Sequence, residues 1–304
     1  MSASLPAPSD VSALHDTFLR WYAVHSRPLP WRDPGCSPWG VLLSEVMSQQ
    51  TPIARVEPIW REWMVRWPTP ADLARESPGE VVRAWGRLGY PRRALRLHES
   101  AAAIVERHGG EVPRDQAELR ALPGIGDYTS AAVAAFAFGD RSVVVDTNVR
   151  RVEARVVRGL AQAAPALTRA EVALAEALLP EDDADASTWN VAVMELGALV
   201  CTARAPRCDD CPVSGSCAWL LAGRPAYDGP VRRGQAWHGT DRQVRGAILQ
   251  TLREQPTAVG RPELAPIHDE AQVDRCLAGL IEDGLVEPVP GDRFALPGLA
   301  EASA

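Results

Sequence analysis

The chain contains no lysine: all 32 of its basic residues are arginine. Genomic base composition accounts for the bias, but the chemical consequence stands. No lysine amine is available to form a Schiff base with a substrate carbonyl. Long apolar runs are also missing, so no membrane-spanning helix is expected. The start, "MSASLPAPSD", lacks a basic region followed by an apolar one and does not read as a secretory leader, which points to a cytoplasmic protein. Positive charge is not in excess either. The formal charge is −7, which alone argues against a nucleic-acid partner. A local basic face can still bind phosphate, because net charge describes the whole surface.

What is present fits a large globular protein. The 304 residues are 46% hydrophobic and include 10 Trp, enough for two domains and a sizeable core. From 11 to 222 the apolar residues recur at helical spacing, as in "VSALHDTFLRWYAV" and "NVAVMELGALV", with Pro and Gly between the runs. Residues 1–222 are therefore expected to form a mostly α domain. The Gly-, Pro- and polar-rich stretch 223–240 reads as a linker. Residues 241–304 form a third region. A helix at 241–253, a short second helix starting at "GRPEL", a third in "DEAQVDRCLAGLIED" and two strands around a Pro-Gly-Asp turn give the order of a winged helix.

Three patterns carry chemistry. Cys201, Cys208, Cys211 and Cys217 are spaced so that four sulfurs can converge on one centre. Spacing leaves a structural zinc and a [4Fe–4S] cluster open. The first gap of that array carries Arg204 and Arg207, suited to DNA phosphates or simply to a solvated loop. "LPGIG" joins two helices, and its Gly124 and Gly126 would let backbone amides at a helix N-terminus hold a phosphate without reading sequence. In "SVVVDTNVRRV", Asp146 ends an apolar run and either caps the next helix or acts in a site beside Asn148. A fourth feature, "LLSEVMSQQT", is a helix capped by Ser37 and opened by Pro38, with Pro52 disfavouring α conformation at Thr51. It surrounds a single carboxylate, Glu45, with Leu42, Leu43, Val46 and Met47.

In this order, these elements resemble the helix-hairpin-helix DNA glycosylases that carry an iron–sulfur cluster, and among them the MutY-type adenine glycosylases. The resemblance covers residues 11 to 222. It implies a two-lobed helical fold with one [4Fe–4S] cluster on the four cysteines. It implies a base-excision-repair enzyme that hydrolyses the N-glycosidic bond of adenine mispaired with 8-oxoguanine or guanine in double-stranded DNA, acting as a monomer. Glu45 would be the general acid that protonates adenine, since apolar surroundings favour a neutral carboxyl. Asp146 would stay ionised and stabilise the oxocarbenium-like sugar, with Tyr128 and Asn148 orienting the reacting groups. Endonuclease III-type relatives carry a catalytic lysine at the position of Tyr128, so a lysine-dependent lyase is excluded here. "RPLPWR", with Arg27, Leu29 and Arg32, matches the pattern near the adenine pocket. Gln50 and Thr51, with Ile53 behind them, match the wedge that probes the opposite base, and Leu88 and Tyr90 match a second probing loop.

The chain departs from this family at Pro91, where a second Tyr is common, and at Val191, where several relatives are polar. Residues 241–304 read as too short and too helical for the Nudix-like C-terminal domain usual in this family, and a winged-helix-like unit is expected in its place. The acidic third helix of 241–304 favours a packing or protein-contact role for that region. Two rival readings remain: a thymine or uracil mismatch glycosylase on the same scaffold, and a metal-sensing winged-helix DNA-binding regulator, which would leave Glu45 and Asp146 idle.

Overall fold

The computed structural model describes residues 8–229 and 238–299; part of the expected linker, 230–237, lies outside the described residues. The chain is mostly helical, as the periodicity implied. Its helices are α1 (Pro8–His25), α2 (Pro38–Ser48), α3 (Ile53–Arg66), α4 (Pro70–Ala74), α5 (Pro78–Trp85), α6 (Arg92–His108), α7 (Gln116–Arg120), α8 (Asp127–Phe138), α9 (Thr147–Val156), α10 (Arg169–Leu178), α11 (Asp183–Leu199), α12 (Ala218–Leu221), α13 (Asp241–Glu254) and α14 (Glu270–Glu282). Three short strands, β1 (Val259–Gly260), β2 (Glu287–Val289) and β3 (Arg293–Ala295), complete it. Among the described residues no helix is long and apolar enough to cross a membrane.

The fold divides into two compact units. The first comprises Met1–Val41, Arg114–Arg120 and Gly126–Val231. Its core joins Phe18 and Trp21 of α1, Val149 and Val152 of α9, Leu174 and Leu178 of α10, and Trp189, Val193 and Leu196 of α11. Phe18 and Trp189 pack with ring centroids 4.8 Å apart. Each such side chain is worth about 1.5–3 kcal/mol when fully buried.

The second unit comprises Leu42–Pro113, Ala121–Ile125 and Arg232–Ala304. Trp63 and Trp85 are fully buried there, edge to face at 5.7 Å. Their indole N–H groups donate to the carbonyls of Ala84 (3.2 Å) and Gly89 (2.9 Å), so neither ring strands a donor.

Within this second unit the C-terminal segment is a two-helix, three-stranded arrangement. α13 and α14 bury Val244, Ile248 and Leu252 with Val273, Leu277 and Leu280. The sheet runs β1-β3-β2, antiparallel, with Val259 and Pro288 both opposite Phe294. The expected second helix at "GRPEL" is absent. Gly260 ends β1 instead, and Arg261–Glu263 make one 3₁₀ turn. Pro266 explains the stop, because it pushes the preceding residue out of α conformation, and Ala265 sits at φ +49.

The segment docks on α5 and α6. Arg83 donates to the carbonyls of Arg253 and Gln255, Arg253 returns a bond to Val82 at 3.1 Å, and Arg92 pairs with Asp283 at 3.2 Å. A Cβ on Gly79 would lie 2.7 Å from Leu299 Cγ, so only glycine permits this approach. Three acids in and around α14 serve structure: Asp269 caps the helix, Asp274 pairs with Arg261, and Asp283 with Arg245.

Candidate active site and cluster loop

In the first unit, Asp146 holds the head of α9. One carboxyl oxygen accepts from the Val149 amide at 2.7 Å, the N-cap that the sequence suggested. The other accepts from Asn148 Nδ2 at 2.7 Å. The two roles considered for Asp146 are therefore compatible. Burial pushes its pKa up, opposed by the Val149 and Asn148 bonds and by the charge of Arg151. Asn148 Oδ1 accepts from Arg151 Nη2 at 2.7 Å, and Arg151 Nε donates to the carbonyl of Cys201 at 2.7 Å. Asp146, Asn148, Arg151 and the first cysteine of the array thus form one chain of bonds. Gly197 of α11 lets α9 come close, since a Cβ there would lie 2.6 Å from Asn148 Cβ. Tyr128, half-buried in the first turn of α8, packs on Ala131, Ala132, Ala135 and Val144.

The four cysteines line one small cavity. Cys201 and Cys217 are buried, and Cys208 and Cys211 half-buried. Among the described residues no three of His, Cys, Asp or Glu form a group that could hold a single metal ion. Four cysteines around one cavity supply the ligand number that either a [4Fe–4S] cluster or a structural zinc takes. Arg155 Nη1 lies 3.3 Å from Cys201 Sγ, and its guanidinium stacks over Trp219 at 4.7 Å. Burial pushes Cys211 up to about 11, so binding iron there must displace a proton. Arg204 is exposed. Arg207 is also exposed but tied back, donating to the Leu199 carbonyl at 2.8 Å.

Glu195, buried in α11, was not singled out from sequence. Its carboxylate receives the Arg27 backbone amide (2.9 Å), Arg27 Nε and Nη2 (2.7 Å each) and Arg32 Nη2 (2.9 Å). These donors outweigh burial and hold its pKa at about 2. The guanidinium groups of "RPLPWR" are thus anchors for their segment, and Leu29 and Trp31 between them are buried.

In the hairpin, Gly124 sits at φ +76, and a Cβ there would meet Arg96 Cβ at 2.7 Å, so glycine is needed twice over. Gly126 differs from expectation. It is the N-cap of α8 in extended backbone, φ −103, with open space where a Cβ would go. Its value is the room it leaves beside the α8 amides.

In the second unit, Glu45 is half-buried on α2, which Ser37 caps by accepting from the Gly40 amide at 3.2 Å. Its neighbours Leu42, Leu43, Val46 and Met47 are all buried. After the helix, Gln50 takes φ +54 and, in the other loop, Tyr90 takes φ +46. Both are left-handed conformations that cost a non-glycine residue roughly 1–3 kcal/mol. Tyr90 is 48% exposed, so it is not a core aromatic, and its hydroxyl donates to Gln50 Oε1 at 2.8 Å. Thr51 is buried and donates to the Leu88 carbonyl at 2.8 Å. Ile53, half-buried, opens α3. The two probing segments read from sequence are therefore bonded to each other. Arg242 of α13 lies over the Tyr90 ring at 5.9 Å.

Residues 43–176 match the family model for HhH-GPD superfamily base excision DNA repair proteins, and 201–217 match the iron–sulfur binding domain of endonuclease III. The four-cysteine loop is an iron–sulfur site. The adenine DNA glycosylase of Mycobacterium tuberculosis is 54% identical over 300 residues, 97% of this chain and 98% of that protein. The human adenine DNA glycosylase is 42% identical over 218 residues, 69% of this chain and 40% of that protein. A thymine/uracil-DNA glycosylase of Pyrobaculum aerophilum is 33% identical over 215 residues, 70% of this chain and 93% of that protein. Among solved structures, a thermostable thymine-DNA glycosylase superposes with a TM-score of 0.63 at 27% identity, covering 70% of this chain and 98% of the other. The chain belongs to the adenine DNA glycosylase family of the HhH-GPD base excision DNA repair superfamily.

Proposed function

We propose that the chain removes adenine standing opposite 8-oxoguanine or guanine in double-stranded DNA, by hydrolysis of the bond between C1′ and N9. Adenine leaves poorly as an anion, so protonation at N7 must accompany departure. The acid that does this has to carry its proton near neutrality, and apolar surroundings favour that form. Glu45, flanked by four buried apolar side chains, carries this reading. The rival pyrimidine glycosylase needs no acid for a purine N7 and would leave Glu45 without a task.

Asp146 acts on the other partner of the bond. Its carboxylate, fixed by Val149 and Asn148, stabilises positive charge at C1′ as the base departs. Tyr128 and Asn148 orient the sugar and the carboxylate. The amides after Gly126 hold a backbone phosphate, and Arg204 adds charge to the DNA face. The target base leaves the stack at a cost of a few kcal/mol. Gln50 and Tyr90 occupy the space it leaves and touch the opposite base. Cys201, Cys208, Cys211 and Cys217 hold one [4Fe–4S] cluster, which when bound cross-links the loop that contains Arg204. The C-terminal segment packs on α5 and α6, and the pairing of its acids supports that role over binding DNA through α14. The enzyme works as a monomer.

Single-turnover excision on duplexes carrying adenine opposite 8-oxoguanine, guanine or thymine tests the reading. Adenine should be lost fastest opposite 8-oxoguanine, leaving an intact strand that breaks only on alkali. Release of thymine or uracil opposite guanine, with no adenine loss, would overturn it. So would a borohydride-trapped adduct at an internal residue, because no lysine is available to form one.

A further inference from the structure

The two probing loops and the helix of Glu45 share one partner, Arg93 in the first turn of α6. Its Nη1 donates to the carbonyls of Val46 (2.7 Å), Met47 (3.1 Å) and Gln49 (2.7 Å). Its Nη2 donates to Thr51 Oγ1 (3.0 Å) and to the carbonyls of Leu88 (3.4 Å) and Gly89 (3.1 Å). The guanidinium lies between aromatic faces, 5.1 Å from the Trp85 ring and 5.5 Å from the Tyr90 ring.

This arginine is unusual in what it lacks. Its hydrogen bonds go to carbonyls and one hydroxyl, with no carboxylate among them. Burial lowers its pKa to about 10, which still leaves it a cation at neutral pH. A desolvated charge is normally paired with an opposite charge, whereas here carbonyl dipoles, one hydroxyl and two aromatic faces hold it. The carbonyls of Val46 and Met47 belong to the last turn of α2, whose end carries partial negative charge. The remaining contacts pin the residues on either side of Gln50 and just before Tyr90, the two non-glycine positions with left-handed backbone in these loops.

We propose that Arg93 is a positioning residue for base excision, locking the Gln50 and Tyr90 loops in one register against the helix that carries Glu45. The proposal rests on the reading of those loops as the DNA-probing segments. A planar fork with donors on two sides is needed to reach both loops at once, and a point charge on a flexible stem cannot do so. Arg93 acts through Glu45, Gln50 and Tyr90 and does not touch the substrate.

The test uses full-length, iron-loaded Arg93→Lys and Arg93→Met with two readouts. Hydrogen exchange without DNA reports the loops directly. Amides at 49–51 and 88–90 should exchange about 10-fold faster or more in Arg93→Met, with exchange in α3 and α6 unchanged. Single-turnover excision of adenine opposite 8-oxoguanine should fall roughly 100-fold, the cost of an ångström-scale misplacement. Arg93→Lys should recover part of both, because an ammonium reaches the α2 carbonyls but not the second loop. Unchanged loop exchange in Arg93→Met overturns the proposal, as does accelerated exchange throughout the second unit, which would make Arg93 a general stability residue. Faster loop exchange with excision intact also overturns it. If wild-type protein releases no adenine, the functional reading fails while the exchange data still report whether Arg93 holds the loops.

Discussion

Replacing Glu195 by glutamine should destabilise the protein in a pH-dependent way whose size follows from the structure. The carboxylate is 1% exposed and is bonded to Arg27 and Arg32. Lowering its pKa from the ordinary 4.5 to about 2 is worth about 3 kcal/mol at pH 7, at about 1.4 kcal/mol per pH unit. The Arg27 side chain is 33% exposed and Arg32 21%, so solvent screening trims the expected effect to about 2–3 kcal/mol. The folded pKa lies below the unfolded one. The stabilisation is therefore complete above pH 4.5 and is lost as pH falls towards 2, with roughly 60% remaining at pH 3.5. Urea unfolding followed by tryptophan fluorescence, on wild type and Glu195→Gln at pH 7 and 3.5, measures both values. A difference below 1 kcal/mol at pH 7, or one that does not shrink at pH 3.5, would refute the argument that this charge cluster anchors residues 27–32.

Three further outcomes are expected. Glu153 is buried with both carboxyl oxygens unpartnered and its pKa pushed up to about 8 by burial, then by Glu171 and Asp146. Its folded pKa exceeds the unfolded value, so stability is full below 4.5 and lost as pH rises through 8; Glu153→Gln should gain about 2–3 kcal/mol on wild type between pH 6 and 9, read by urea unfolding. Gly197→Ala should cost about 1–3 kcal/mol by forcing a methyl into Asn148, and should slow excision more than an equally destabilising core change such as Leu174→Ala. Cys217→Ser should lower iron content and visible absorbance in purified protein, measured by metal analysis, relative to Cys36→Ser, which should keep both.

The legible parts of this molecule were local. The Asp146 cap, the Ser37 cap, the hairpin and the cysteine spacing each lie within about twenty residues, and the physics that creates them acts over that span. Glu45 stood out because a carboxyl among apolar neighbours costs free energy unless it serves something. What sequence did not reveal is long-range or made of backbone. Glu195 meets Arg27 across 168 positions, and nothing in "VMELGALV" announces a partner in "RPLPWR". Arg93 binds carbonyls, which every residue has, so its role leaves no pattern. Gly197 matters because two helices approach there, which its own helix does not disclose. The "GRPEL" helix failed for a physical reason that was visible: Gly260, Pro262 and Pro266 crowd too short a stretch for an α-helix.

The central claim is that Glu45 supplies the proton that lets adenine leave. Single-turnover excision of adenine opposite 8-oxoguanine by wild type and Glu45→Gln, at saturating protein, tests it most directly. General acid catalysis accounts for about 10²–10⁴ in rate, so the variant should lose at least about 100-fold while still binding the duplex. An excision rate within a few-fold of wild type would make Glu45 a structural residue and contradict the mechanism.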